Sequence, residues 1–306
     1  MTRRPGKILV VRGGAIGDFI LTLPAMAALR GQFAEAHLEV LGYPHIAQLA
    51  LAGGLVDGVQ PIEARALASF FAPNGELDEE FSDYFSEFDL IVSYLYDPDE
   101  IFRMNVARCS GAQFIQGPHR PDERKRVHAT KVYLEPLERL AIYDAEAVPR
   151  IHLAAAAADG SARIGLHPGS GSEKKNWPEE RWAELLQHLS GTTALKLLLV
   201  GGEAEGDRLE RLAAGLPPTR LEVAQSLPLA ELARRLRGCR AFVGHDSGIS
   251  HLAAALGLPC LVLWADTVEE VWRPQGDEVV ILKESFGLRQ LSVECVANEF
   301  TKMLPV

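Results

Sequence analysis

The chain has 306 residues, 47% of them hydrophobic and 24% charged, with a formal net charge of −10. That length holds two core-bearing domains, and the balance is ordinary for a soluble globular protein. The acidic balance argues against general nucleic-acid binding, and four scattered cysteines without a CxxC pair argue against a zinc site or disulfide framework and fit a reducing cytosol.

The start is basic (Arg3, Arg4, Lys7), but the apolar stretch behind it is broken by Arg12, the glycines and Asp18. It lacks the layout of a signal peptide, and no apolar run is long enough for a membrane span. KILVVR reads as a strand, and DFILTLPAMAALRGQF as a helix with Pro24 as a kink point. The turn between them, GGAIGD, follows a strand as a dinucleotide fingerprint does. However, Arg12, Gly14 and Gly17 occupy its three glycine positions, so the first fails. Gly13 and Gly14 then read sterically, as letting backbone or ligand approach closely. Asp18 is open to two readings, a helix-start acid or a base that accepts a proton from a hydroxyl.

HLEVLGY is a second strand, ELDEEFSDYFSEF an acidic amphipathic helix and DLIVSYLY a third strand. IFRMNVARCSG and QFIQG continue the alternation, and VHATKVYLEPLERLAIYD reads as one helix. Strand–helix repetition of this kind means a parallel sheet covered on both faces. AVPRIHLAAAAADGSA, rich in Ala, reads as a linker, after which the pattern restarts.

In the second half, RIGLHPGSGS precedes the helix PEERWAELLQHL. Backbone N–H groups and hydroxyls of Ser170, Gly171 and Ser172 suit a phosphate oxygen, and Lys174 and Lys175 add positive charge or form a solvated surface. No P-loop is present, and Trp177 reads as packing. LKLLLVGGEAEGD ends a strand. Its Glu205 is either a ligand for a ribose diol or an acid favouring the next helix. AFVGHDSGI and SHLAAALGL form a strand and an Ala-rich helix whose start is small enough to admit an anion. There Asp246 and Ser247 are candidate caps, Gly248 opens the helix, and His251 is a structural hydrogen bonder or a ligand contact. GxSxG is absent, so Ser247 is a poor hydrolase nucleophile. CLVLWAD is a further strand and LRQLSVECVANEFTKML a terminal helix. The site is expected in a cleft between two doubly wound domains, at the carboxyl ends of the strands.

GGAIGDFILTLPAMAALR, HPGSGSEKKNWPEERWAEL, VGGEAEGDRLERLA and GHDSGISHLAAALGLPCLVLW, in that order, resemble the ADP-heptose:lipopolysaccharide heptosyltransferases, glycosyltransferase family 9. The resemblance implies an α/β GT-B fold, two Rossmann-like doubly wound domains facing across a cleft. It implies an acceptor-binding domain at 1–148, a nucleotide-sugar-binding domain at 149–285, and a helix at 286–306 packing back on the first domain. It also implies inverting transfer without a metal or cofactor, from ADP-heptose to a lipopolysaccharide inner-core acceptor. Residue by residue, Asp18 matches the family's proposed base and Lys175 its phosphate-contacting lysine. Glu205 matches the ribose-binding glutamate, and Asp246, Ser247, Gly248 and His251 match the D-[ST]-G-x-x-H element at the pyrophosphate and sugar.

A lipid-linked anionic saccharide acceptor asks for local positive charge. RPDERKRVHATK supplies Arg120, Arg124, Lys125, Arg126, His128 and Lys131 in the first domain; the bland alternative is a solvated basic loop. The chain is thus expected to be a cytoplasmic monomer, peripheral at the inner face of the inner membrane. Two alternatives stay open, a GT-B transferase using a UDP- or GDP-sugar and a non-catalytic nucleotide-sugar-binding protein.

Overall fold

A computed structural model of the chain describes residues 5–153 and 162–304, apart from the side chains of Lys174 and Ala204. Arg3 and Arg4, and half of the Ala-rich stretch read as a linker, lie outside the described residues. The chain divides into two compact units, Met1–Ala147 and Val148–Val306.

The first unit runs β1 (Lys7–Arg12), α1 (Ile16–Gln32), β2 (His37–Gly42), α2 (Pro44–Ala52), β3 (Gly58–Pro61), α3 (Glu79–Ser86), β4 (Leu90–Ser93), α4 (Ile101–Cys109), β5 (Gln113–Gln116) and α5 (Ala129–Leu134). Its strands are parallel, in the order β3-β2-β1-β4-β5. Leu9, Val10 and Val11 are fully buried, as a central strand covered on both faces requires. One face is filled by aromatic side chains: Phe70, Phe81, Phe85 and Phe102 pack on Leu9, Val11, Leu41 and Ile91. Asp78 caps α3 by accepting from the Phe81 N–H at 3.1 Å, which sets the apolar stripe Phe81–Phe85 against the sheet.

The segment 127–144, read as one helix, is two pieces. α5 ends at Leu134, and a 3₁₀ turn over Glu135–Leu140 follows, stopping at Ala141 with φ +57°. Pro136 has no N–H to continue the α pattern, and its ring needs the space of the preceding turn.

The second unit runs β6 (Arg163–His167), α6 (Glu179–Thr192), β7 (Lys196–Gly201), α7 (Arg208–Ala214), β8 (Leu221–Gln225), α8 (Leu229–Arg237), β9 (Cys239–His245), α9 (Gly248–Ala255), β10 (Cys260–Leu263), α10 (Glu269–Trp272), β11 (Val279–Leu282) and α11 (Val293–Lys302). The parallel order is β11-β10-β9-β6-β7-β8. In each sheet the strand order reverses beside the unit's first strand. The switch points are therefore the carboxyl ends of β1 and β4 in one unit and of β6 and β9 in the other, where open α/β sheets bind ligands.

The terminal helix belongs to this second unit, where the sequence reading sends it back to the first. Val296, Ala297 and Phe300 are buried in the same core as Trp182, Leu185 and Leu189 of α6. The carbonyl of Leu291 accepts both Trp177 Nε1 and Arg181 Nη1 at 2.9 Å, fastening the entry to α11 onto α6. Among the described residues, no helix is long and apolar enough to cross a membrane.

Candidate functional site

At the first switch point, β1 ends in Arg12 and the chain turns through Gly13 and Gly14 into α1. Gly14 has φ +99°, and a Cβ there would lie 3.2 Å from Asp18 Cβ and Oδ2. The glycine is thus required by the turn and by Asp18 together. Gly13 has ordinary room, its nearest neighbours being 3.8 Å away. Asp18 is the third residue of α1, and its Oδ2 accepts from the Ala15 N–H at 3.2 Å. Its carboxylate remains a third exposed (33%). It therefore serves as a helix-start acid and still presents an oxygen to solvent.

Arg12 breaks the fingerprint for a reason the sequence does not reveal. The side chain is 3% exposed, and its guanidinium lies 4.6 Å from the Tyr133 ring centroid. Nη2 donates to the Asp18 carbonyl at 3.1 Å and Nη1 to the His119 carbonyl at 2.9 Å, with the Asp18 carboxylate 3.9 Å away. A charge closing an apolar strand was the available signal.

The basic loop is partly neutralised by its own acids. Arg120 pairs with Glu123 at 3.1 Å, and Arg124 grips Asp122 through two bonds of 2.8 and 2.9 Å. That fork holds the half-buried Asp122 carboxyl down at about 2. Arg126 closes the 3₁₀ turn Glu123–Lys125 with φ +51°. His128 is 8% exposed and caps α5, its Nδ1 meeting the Thr130 N–H at 3.3 Å and Oγ1 at 2.9 Å, so its ring is built into the fold.

At the second switch point the structure joins residues far apart in sequence. Lys175 Nζ donates to Asp246 Oδ2 at 2.7 Å, and Thr267 Oγ1 donates to the same oxygen at 2.5 Å. Asp246 therefore does not cap α9. Ser247 stands at the N-cap position without a capping bond, its Oγ lying 3.2 Å from His167 Nδ1 instead. Gly248 opens α9, and His251 is buried one turn on, at 6% exposure. Ser170 closes its loop on itself: Oγ donates to the Ser172 carbonyl at 2.8 Å and accepts from the Ser172 N–H at 3.2 Å. A Cβ on Gly171 would meet open space.

Glu205 is a buried brace, 8% exposed. Oε2 accepts from the Gly202 N–H at 2.6 Å, and Oε1 lies 4.0 Å from His167 Nε2. A Cβ on Gly169 would stand 1.8 Å from Oε1, so only glycine fits beside it. His245, which the sequence reading passed over, pins the loop to β9. Its Nε2 accepts from the Trp177 N–H at 2.7 Å, so its Nδ1–H donates to the Gly169 carbonyl at 3.1 Å. Trp177 packs edge-on against Trp182 at 5.5 Å and is 2% exposed.

Burial holds both imidazoles neutral: His167 is pushed down to about 4, partly opposed by Glu205, and His245 to about 3. The unfolded chain takes up these protons near pH 6.5, whereas the folded chain refuses them until pH reaches those lower values. The stability is thus fully present above pH 6.5 and is lost as pH falls. Each ring contributes on the order of 1 kcal/mol per pH unit, so the pair steepens the fall by roughly 2–3 kcal/mol per pH unit between roughly pH 6 and 4. Glu173 and Glu179, held low by hydrogen bonds from Arg208 and Arg211, add their losses at more acid pH. Urea unfolding across this range reads the slope, and His167→Gln is expected to halve it. A flat unfolding free energy between pH 6.5 and 4.5 contradicts this assignment.

Among the described residues, no group of three or more His, Cys, Asp or Glu is placed to hold a metal ion. The sequence model of glycosyltransferase family 9 (heptosyltransferase) matches residues 138–300, more than half of the chain, with Lys175, Glu205, Asp246 and Ser247 inside the match. The chain belongs to glycosyltransferase family 9. It is similar to lipopolysaccharide heptosyltransferase 1 of Pseudomonas aeruginosa, with 43% identity over 93 residues, covering 30% of this chain and 26% of that protein. The match to the Escherichia coli K12 protein of the same name, 35% identical, covers 35% of this chain and 33% of that one. The chain thus spans about a quarter to a third of these relatives' length. Over nearly the whole chain it resembles two solved structures. One is a family 9 glycosyl transferase from Veillonella parvula (TM-score 0.79, 19% identity, 99% and 98% of the two chains). The other is E. coli heptosyltransferase WaaC with ADP (TM-score 0.77, 20% identity, 97% and 99%). At these identities the likeness is one of fold, and the family 9 chain has the GT-B fold of two Rossmann-like units.

Proposed function

We propose that this family 9 protein is an inverting glycosyltransferase. In this reading it moves a heptose from ADP-heptose to an anionic, lipid-linked lipopolysaccharide core saccharide, without a metal. The observation that carries the reading is the Lys175–Asp246 ion pair at the second switch point, inside the family match. The ammonium has two further protons for a pyrophosphate oxygen. The start of α9, left uncapped by Ser247, offers its dipole to the same charge. The Ser170–Ser172 turn and His251 border the pyrophosphate and sugar, and Glu205 serves the ribose diol through Oε1.

On the N-terminal unit, Asp18 takes the proton of the acceptor hydroxyl as it attacks the anomeric carbon. The C–O bond to the β-phosphate breaks on the opposite face, and ADP leaves with the bonding pair. Arg120, Arg124, Lys125 and Arg126 favour an anionic acceptor and a peripheral position at the inner face of the membrane.

A thermal-shift panel of ADP, UDP and GDP tests the donor assignment. A ligand at 100 times its Kd adds about 2.7 kcal/mol to the folded state, or about 5–10 °C in Tm for a unit of this size. ADP is expected to give this shift and the other two far less. A larger shift from UDP or GDP overturns the donor, and ADP binding without turnover of ADP-heptose makes the protein a binder.

A further inference from the structure

Tyr96 is 69% exposed just beyond β4, and its ring meets the His119 ring just beyond β5, with centroids 4.6 Å apart at 62°. A single exposed aromatic needs no explanation in itself. This one differs in how firmly its surroundings are fixed. Gln116 Nε2 donates to the Leu95 and Gly117 carbonyls, both at 3.0 Å, tying the residue before Tyr96 to the strand end before His119. A Cβ on Gly117 would stand 2.7 Å from Tyr94 Cε1, so the two strand ends approach as closely as backbone allows. Arg12 completes the frame, since the guanidinium that binds the His119 carbonyl also binds the Asp18 carbonyl. The aromatic pair and the candidate base thus hang on one buried cation, at the switch point between β1 and β4.

We propose that Tyr96, backed by His119, is a stacking platform for a pyranose ring of the acceptor. This rests on the reading of the chain as a glycosyltransferase with Asp18 as base. A sugar ring carries one apolar C–H face, which an aromatic face desolvates at little conformational cost because an aromatic side chain has few rotatable bonds and the backbone carrying this one is tied down. Stacking beside Asp18 turns the acceptor hydroxyls toward the carboxylate. Tyr96 is a binding residue in this scheme, and Arg12 positions it.

The test uses the full chain and two variants, Tyr96→Ala and Tyr96→Phe, with deacylated, heptose-free lipopolysaccharide as the acceptor probe. Calorimetric binding of the probe is measured alongside turnover with ADP-heptose. Tyr96→Ala is expected to weaken probe binding and raise the acceptor KM about tenfold, with kcat, the donor KM and the ADP-induced Tm shift unchanged. Tyr96→Phe is expected to behave as wild type, because the ring and not the hydroxyl makes the contact. Unchanged probe binding by Tyr96→Ala overturns the platform, as does loss of the ADP shift, which would place the donor base on the ring. Equal damage from Tyr96→Phe also overturns it. Those results leave the glycosyltransferase reading standing if wild type turns over and Asp18→Asn does not. A wild-type chain that fails to bind the probe overturns both.

Discussion

Asp18→Asn is expected to lower kcat by about 10²–10⁴-fold while leaving the fold and the ADP-induced stabilisation intact. The geometry makes this substitution unusually clean. The structural duty of Asp18 is to accept the Ala15 N–H at 3.2 Å, and an asparagine carbonyl oxygen accepts it as well. Arg12 and Thr22 bind the main-chain carbonyl of residue 18, at 3.1 and 2.8 Å, which substitution does not touch. What is lost is the basicity and the negative charge 3.9 Å from the buried Arg12 guanidinium, which keeps its carbonyl partners. Asp18→Ala removes the capping acceptor too and is expected to cost a further 0.3–1.5 kcal/mol of stability, roughly, by chemical denaturation. Turnover by Asp18→Asn near the wild-type rate at saturating substrates leaves Asp18 as a capping acid only.

What the sequence made legible follows burial. β1, β6, β7 and β9 are continuous apolar runs ended by glycine or a polar turn, because a strand covered on both faces has no polar side. The edge strands β3, β8 and β11 escaped notice. GVQP and LEVAQ are partly exposed and barely apolar, and VVIL is too short to tell from a buried helical turn. In the site, Lys175 and Asp246 were each recognisable from a local motif, but their contact spans 71 residues of sequence. The local expectation that Asp246 caps α9 lost to that partner and to Thr267. Arg12 and His245 stayed invisible for the same reason. One looked like a flaw in a glycine fingerprint and the other like the end of a strand, until tertiary structure supplied the carbonyls and N–H they bind.

Removal of the Lys175 ammonium is the second large effect expected. Lys175→Met should lower kcat by about 10²–10³-fold, shrink the ADP-induced Tm shift, and cost about 1–3 kcal/mol of stability. The stability loss arises because Asp246, with a side chain 8% exposed, loses its cation. It stays below the full penalty of a broken buried pair because Lys175 itself is 35% exposed and the Thr267 hydroxyl still donates at 2.5 Å. Rate and stability then separate in the double variant Lys175→Met/Asp246→Asn. Neutralising Asp246 removes the stranded charge, so stability returns toward wild type. The leaving pyrophosphate, however, still finds no ammonium, so kcat stays low. Recovery of rate together with stability would mean that Lys175 acts only by neutralising Asp246, and the α9 N-terminus would then have to stabilise the departing ADP without it.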